Sequence, residues 1–119
     1  MRIAIVGNRD YPYPEHIRAF VGILPHDAII VSGGARGVDT FAAVFGRDRG
    51  LQVVEHLPKV KHNATREEFR DAAFARNKVI VQDSDVIFAF ICRDKGGTMN
   101  TIEHAKMLSK PFFIRDSRI

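Results

Sequence analysis

A chain of 119 residues, 45% of them apolar, is sized to fill one hydrophobic core, and none of its apolar runs approaches the roughly 18 residues that a membrane span needs. Its single cysteine, Cys92, excludes an internal disulfide and a zinc site built on cysteines; with an N-terminus that does not read as a signal peptide, this predicts a cytoplasmic protein. The balance of 18 Lys and Arg against 14 Asp and Glu, formally +4, suits an anionic ligand without demanding one.

In chain order, Arg2–Val6 is a β-branched run that ends at Gly7 and predicts a first strand. Asn8–Pro14 is an extended turn whose two prolines forbid a helix until about Glu15. A short helix follows, with Ile17, Phe20, Val21 and Leu24 on one face. Ala28–Val31 is continuously apolar, as a parallel strand buried on both faces should be. After the loop Ser32–Gly37, Val38, Phe41, Ala42 and Phe45 recur at helical spacing, and Gly50 ends that helix. Leu51–Val54 predicts a third strand, and Pro58–Asn63 a polar loop.

Thr65 and Glu68 match a capping box. The helix they open carries Phe69, Ala72, Ala73, Arg76, Asn77 and Ile80. Asp85–Ile91 is a fourth strand, Lys95–Thr98 a loop, and Asn100–Ser109 a helix with Ile102, Ala105 and Leu108 inward. Pro111–Ile114 is the last strand. Strands alternating with helices predict an α/β fold: one Rossmann-like domain over residues 1–119, with a doubly wound, mostly parallel five-stranded sheet in three α/β/α layers. Ligands of such sheets sit outside the strand carboxyl ends. Three chemically unusual segments fall there: Gly7-Asn8-Arg9, Ser32–Gly37 and Gly96-Gly97-Thr98.

In the second of these, Gly33, Gly34 and Gly37 let the backbone approach an anion or simply shape a tight turn. The amides that open the next helix make an anion site with its dipole, and Arg36 can add a charge-assisted contact. Ser32 sits within the same loop, and Asp39, in the first helical turn, can accept from a ribose or pin the loop. Gly96, Gly97 and Thr98 repeat the logic, the Thr98 hydroxyl either capping the helix or meeting phosphate. Asn8 and Arg9 face the crevice or form a solvated turn; Tyr11 and Tyr13 can stack on a base or pack on the surface. Arg76 and Asn77 stand among apolar neighbours, so Arg76 either reaches the crevice or snorkels at the helix edge.

The five histidines lack metal-ligand spacing, so no metal is expected. Ser32 is outside any Gly-x-Ser-x-Gly elbow, and the glycine loop lacks the Gly-Lys-Ser/Thr ending of a P-loop. The basic residues, including Arg18, Arg36, Arg47, Arg49, Lys59, Lys61, Arg66 and Arg70, are scattered without a dense nucleic-acid-binding run.

Taken together, Val31–Asp39, Arg76-Asn77, Asp85–Phe90 and Gly97-Thr98 resemble the SLOG superfamily, nearest its small YspA-like branch, with the Lonely Guy phosphoribohydrolases and DNA-processing protein A as related branches. The resemblance implies a Rossmann-like nucleotide-binding fold, no added cofactor, and a homodimer or higher oligomer. Lonely Guy enzymes split the N-glycosidic bond of nucleoside 5′-monophosphates through a Pro-Gly-Gly-x-Gly-Thr-x-x-Glu run and an arginine on a preceding helix. Arg76 takes that arginine's place, and Gly97 and Thr98 match the Gly-Thr pair. Thr101, however, stands where the catalytic glutamate would, Glu103 lies two residues on, and the Pro-Gly-Gly is missing. The expectation is a binder of a small nucleotide or nucleoside phosphate, acting as a sensor or as an N-glycosidase using Arg76 and Glu103. The alternative is a single-stranded nucleic-acid-binding module similar to DNA-processing protein A, whose Ser-Gly-x-Ala-Arg-Gly-x-Asp segment this chain shares in Ser32–Asp39. No membrane partner is expected.

Overall fold

The computed structural model describes Met1–Ile119 and forms nine elements. These are β1 (Arg2–Gly7), α1 (Pro14–Gly22), β2 (Ile29–Ser32), α2 (Val38–Asp48), β3 (Gln52–Glu55), α3 (Arg66–Gln82), β4 (Val86–Ile91), α4 (Gly97–Met107) and β5 (Phe112–Asp116). All strands pair in parallel, in the order β3-β2-β1-β4-β5, with Ile3 beside Ile30 on one side and Val86 on the other. The sheet is thus wholly parallel rather than mostly so. No helix is long and apolar enough to cross a membrane.

The two-residue period of β1 divides the core. Ile3 and Ile5 pack with Ile17, Val21, Val38 and Ala42 of α1 and α2, while Ala4 and Val6 pack with Ile80, Val81, Ile102 and Ala105 of α3 and α4. Both faces of the central strands are therefore apolar and covered, the three-layer arrangement that the sequence predicts. The chain builds outward from β1 to β3, then crosses to β4 and β5, so strand order reverses between β1 and β4. Every helix N-terminus emerges at the strands' carboxyl edge, and the crevice of such a sheet opens at that reversal.

Most element boundaries shift by about one residue from the sequence expectation, and the differences are larger around α4 and β5. Helix α4 begins at Gly97, because Gly96 adopts a φ of 90° and turns the chain into the helix three residues early. Strand β5 continues two residues to Asp116 through its pairing with Ile91. Leu108, expected inward, is the exposed C-cap of α4. The capping box of α3 is present in both directions, Glu68 N–H donating to the Thr65 hydroxyl and Thr65 N–H to the Glu68 carboxylate, each at 3.1 Å. Thr65→Ala should therefore lower stability by about 1 kcal/mol, read as a lower urea midpoint at unchanged slope.

Candidate functional site: a cationic crevice at the strand carboxyl edge

A crevice of about 550 Å³ lies over the β1–β4 boundary. Gly7, Asn8 and Arg9 form its floor, Ala35, Arg36 and Asp39 one wall, Phe69, Ala73, Arg76 and Asn77 of α3 another, and Gly96, Gly97, Thr98 and Thr101 its far end. Segments distant in sequence meet because each follows a strand of the same parallel sheet.

A buried polar frame holds these walls. The Asp39 side chain accepts from Gly33 N–H at 3.1 Å and faces the amides of Ala35 and Gly7 as well. Burial outweighs these donors and the nearby Arg76 guanidinium, and pushes the Asp39 carboxyl up to about 7. The Arg76 guanidinium donates to the carbonyls of Gly33 and His56 and, at 3.0 Å, to the Asn77 side-chain oxygen. Its burial draws its own pKa down against the pull of Asp39. The Asn77 amide donates to the Gly97 carbonyl and to Asn100 Oδ1, each at 3.1 Å, tying α3 to the start of α4. Asn8 Oδ1 accepts from the amides of Cys92 and Arg93 at 2.7 and 3.2 Å, tying the end of β1 to that of β4.

These contacts decide several sequence expectations. Asp39 pins the loop and is 5% exposed while still bordering the crevice. Ser32 is fully buried, its hydroxyl donating to the Asp39 carbonyl at 3.2 Å and accepting from Gly34 N–H at 3.3 Å. Ser32, Gly33, Gly34 and Gly37 support the crevice from beneath and beside it, without lining it. Gly37 has a φ of 86°, and any side chain there would strike the Arg9 backbone, so its glycine serves a close packing of two loops. Arg76 neither snorkels nor stands free; it is a strut between Gly33 and His56. Tyr11 is buried against Phe90 and bonds His16 at 2.7 Å, away from the crevice.

What remains open to a ligand is of two kinds. Helices α2 and α4 start at Gly37 and Gly96 with no side-chain cap, whereas α3 is capped on both counts. The first-turn amides of α2 and α4 therefore carry partial positive charge with no side-chain acceptor to satisfy them. Around them stand seven cationic side chains, Arg9, Arg36, Arg66, Arg70, Arg76, Arg93 and Lys95, against two carboxylates, Asp10 and Asp39. Arg9, Arg36, Arg66 and Lys95 are exposed and enter no ion pair, while Arg93 is held by Asp10. Phe69 projects from the first turns of α3, 53% exposed at the crevice wall.

Arg66, Phe69, Arg70, Arg93 and Lys95 are site residues that sequence reasoning missed. For Arg66, Phe69 and Arg70 the signal was the length of α3, whose 17 residues span about 25 Å, against about 20 Å for a six-residue strand; Arg93 and Lys95 lie in the loop between β4 and α4. The first turns of α3 therefore overhang the sheet.

No carboxylate stands at the position where the Lonely Guy pattern places its catalytic glutamate. Thr101 is buried, its hydroxyl donating to the Gly97 carbonyl at 3.1 Å. Glu103 is exposed outside the crevice, 3.8 Å from Lys106 on its own helix, because two residues along a helix is a turn of about 200°. Glu103 thus does not line this crevice, unlike Arg76. No three His, Cys, Asp or Glu side chains gather as metal ligands.

No family model matches the sequence, and no curated protein matches it. Among solved structures, DNA processing protein A from Streptococcus pneumoniae superposes with a TM-score of 0.80 at 18% identity, over 95% of this chain and 49% of that one. The Helicobacter pylori protein, described for its single-stranded DNA binding mode, gives 0.75 at 22% identity, over 96% and 64%. In fold, the chain is similar to DNA processing protein A. It spans about half of the first protein and under two thirds of the second. The C-terminal domain of a Pyrococcus furiosus hydrogenase is a more distant likeness, with a TM-score of 0.53 at 13% identity over 95% of this chain and 89% of that one.

The buried frame predicts a pH dependence. An unfolded aspartate titrates near 4 and folded Asp39 near 7, so between these values the folded state binds the extra proton and stability falls as pH rises. Urea unfolding from pH 4 to 8 should show that decline, levelling above pH 7, and Asp39→Asn should flatten it. A variant that retains the wild-type slope would assign the titration elsewhere.

Proposed function

We propose that the crevice binds the sugar–phosphate backbone of single-stranded nucleic acid, with a base resting on Phe69. The observation that carries this reading is the convergence of unpaired arginines, two uncapped helix N-termini and an exposed aromatic ring on one groove. Cations that track a backbone, together with a ring that offers a π-face to any base, are the two parts of a sequence-tolerant single-strand site. Charges scattered along the sequence become a basic groove only when the fold brings the strand ends together. The likeness to DNA processing protein A supports the same reading, since the Helicobacter pylori protein of that fold is described as binding single-stranded DNA.

In this reading a phosphate sits at the start of α4, against the Gly97 and Thr98 amides, with Arg36 and Arg9 supplying charge from the opposite wall. Asp39, Arg76, Asn77 and Asn8 act as positioning residues that keep those groups apart at the width of a ligand. A second reading, a single nucleotide or nucleoside phosphate held without cleavage, is favoured by the volume of about 550 Å³, well inside the roughly 300–1,000 Å³ of small-ligand sites.

Fluorescence anisotropy with a labelled oligothymidylate separates the two. Single-strand binding should weaken with salt, exceed duplex binding, and fall about tenfold in Arg36→Ala, the loss of one charge-assisted contact. Phe69→Ala should lose about 1–3 kcal/mol of affinity for the strand. Full competition by AMP, with no gain from a longer chain, would replace the strand by the mononucleotide. An oligothymidylate that does not bind even at low salt would reject single-strand binding.

A further inference from the structure

Resting on the single-strand reading, the distribution of unpaired charge gives the strand a direction. We infer that it leaves the crevice across the N-terminal half of α3 and continues onto the Leu57–Ala64 segment, where Lys59 and Lys61 take phosphates beyond those held by the glycine loops.

Toward β5 two arginines of the carboxyl edge are already paired, leaving Lys95 and Arg115 outside any ion pair. Arg93 is bound to Asp10, and Arg118 pairs with Asp94 at 2.9 Å and with Asp116 at 2.6 Å. An arginine that must first give up a carboxylate gains little from a phosphate. On the opposite side, residues 57–66 contain Lys59, Lys61 and Arg66 and no acid. All three are exposed and none enters an ion pair. The nearest acid upstream, Glu55, borders the second groove but is held by Arg47 at 2.7 Å; downstream on α3, Glu67 follows Arg66, Glu68 is engaged in the capping box and Asp71 lies 3.8 Å from Arg70.

The surface between crevice and lysines is shaped to receive bases. A second groove, of about 430 Å³, runs along the other flank of α3 between Ala72, Ala75 and Val79 on the helix and Leu57 and Lys59 on the segment. Arg76 borders both grooves, so only the ridge of α3 separates them. Leu57 lies over Gly34, where it occupies the space that a side chain at Gly34 would fill. The segment therefore starts at the edge of the glycine loop. Leu57 and Val79, 61% and 43% exposed, give the groove apolar walls, and Lys59 places a cation at its margin. Apolar walls beside a cationic rim suit a strand that turns its bases inward and its phosphates toward the lysines.

The test is the salt dependence of oligothymidylate binding, measured by anisotropy for wild type, a Lys59→Ala/Lys61→Ala double variant and Arg118→Gln. Each phosphate contact on a single strand contributes about 0.7 to the slope of log K against log salt, so on a long oligomer the double variant should lose about 1.4 of slope. On an oligomer too short to leave the crevice it should match wild type, and Arg118→Gln should match wild type on both. A double variant with the wild-type slope on the long oligomer overturns the path, as does an equal loss in Arg118→Gln or an equal loss with duplex DNA. Wild type that binds no oligothymidylate at low salt fails earlier and removes the single-strand reading itself.

Discussion

The crevice depends on one buried carboxylate. Asp39 sits beneath the Gly33 amide, facing Ala35 and Gly7, and so gathers the ends of β1 and β2 about a single acceptor. A carboxylate taken out of water is costly unless donors surround it. Here those donors are backbone amides that would otherwise lack partners at the turn after each strand. Arg76 completes the arrangement from the other side, joining the carbonyls of Gly33 and His56. Gly33 lies between the Asp39 carboxylate and the Arg76 guanidinium, with no space for a side chain. Its glycine thus reflects a crossing of two charged groups, rather than the approach of a ligand.

That frame explains a division among the polar residues. Asn8, Ser32, Asp39, Asn77 and Thr101 are buried with their hydrogen bonds made inside the protein, and no buried side-chain polar atom lacks a partner. They have little left to offer a ligand. Arg9, Arg36, Arg66 and Lys95 are exposed with no acid partner, and the helix starts at Gly37 and Gly96 carry no side-chain cap. Free hydrogen-bonding capacity at the carboxyl edge therefore resides largely in donors, the property on which the proposed phosphate contact rests. The contrast with α3 is informative. Where the chain needs only a stable helix end, Thr65 and Glu68 close it reciprocally; where the crevice needs a donor, glycine stands at the cap and leaves the amides open.

Much of this was legible in the sequence. Continuous β-branched runs gave the parallel strands, and the placement of glycine loops after strands gave the location of the site. The roles within the site were less legible, because burial is a tertiary property. Asp39 and Arg36 lie three residues apart in one loop-helix junction, yet one points under the sheet edge and the other into solvent. Nothing in the local pattern distinguishes them. Phe69 lies on the same helical stripe as Ala73 and Ile80, so periodicity assigns it to the core; only the overhang of a 17-residue helix beyond the sheet brings it to the crevice. The scattered arginines read as unremarkable surface charge for the same reason, since their convergence requires the strand order.

The cradle at the start of α4 does not itself decide between a mononucleotide and a strand, since both present a phosphate. The deciding features lie outside it. A nucleotide in the crevice can meet Arg66, Phe69 and Arg70, which line it, but gives Lys59 and Lys61 nothing to meet. On the proposed reading a polymer reaches those lysines as well, because each step along its backbone brings another phosphate past Arg66 toward Lys59 and Lys61, none of which enters an ion pair. Of the crevice carboxylates, Asp39 accepts from the loop amides and Asp10 is bound to Arg93, while Glu103 lies 3.8 Å from Lys106 outside the crevice. Charge that continues past the crevice to Lys59 and Lys61 is what the proposed strand would use and a single nucleotide would not.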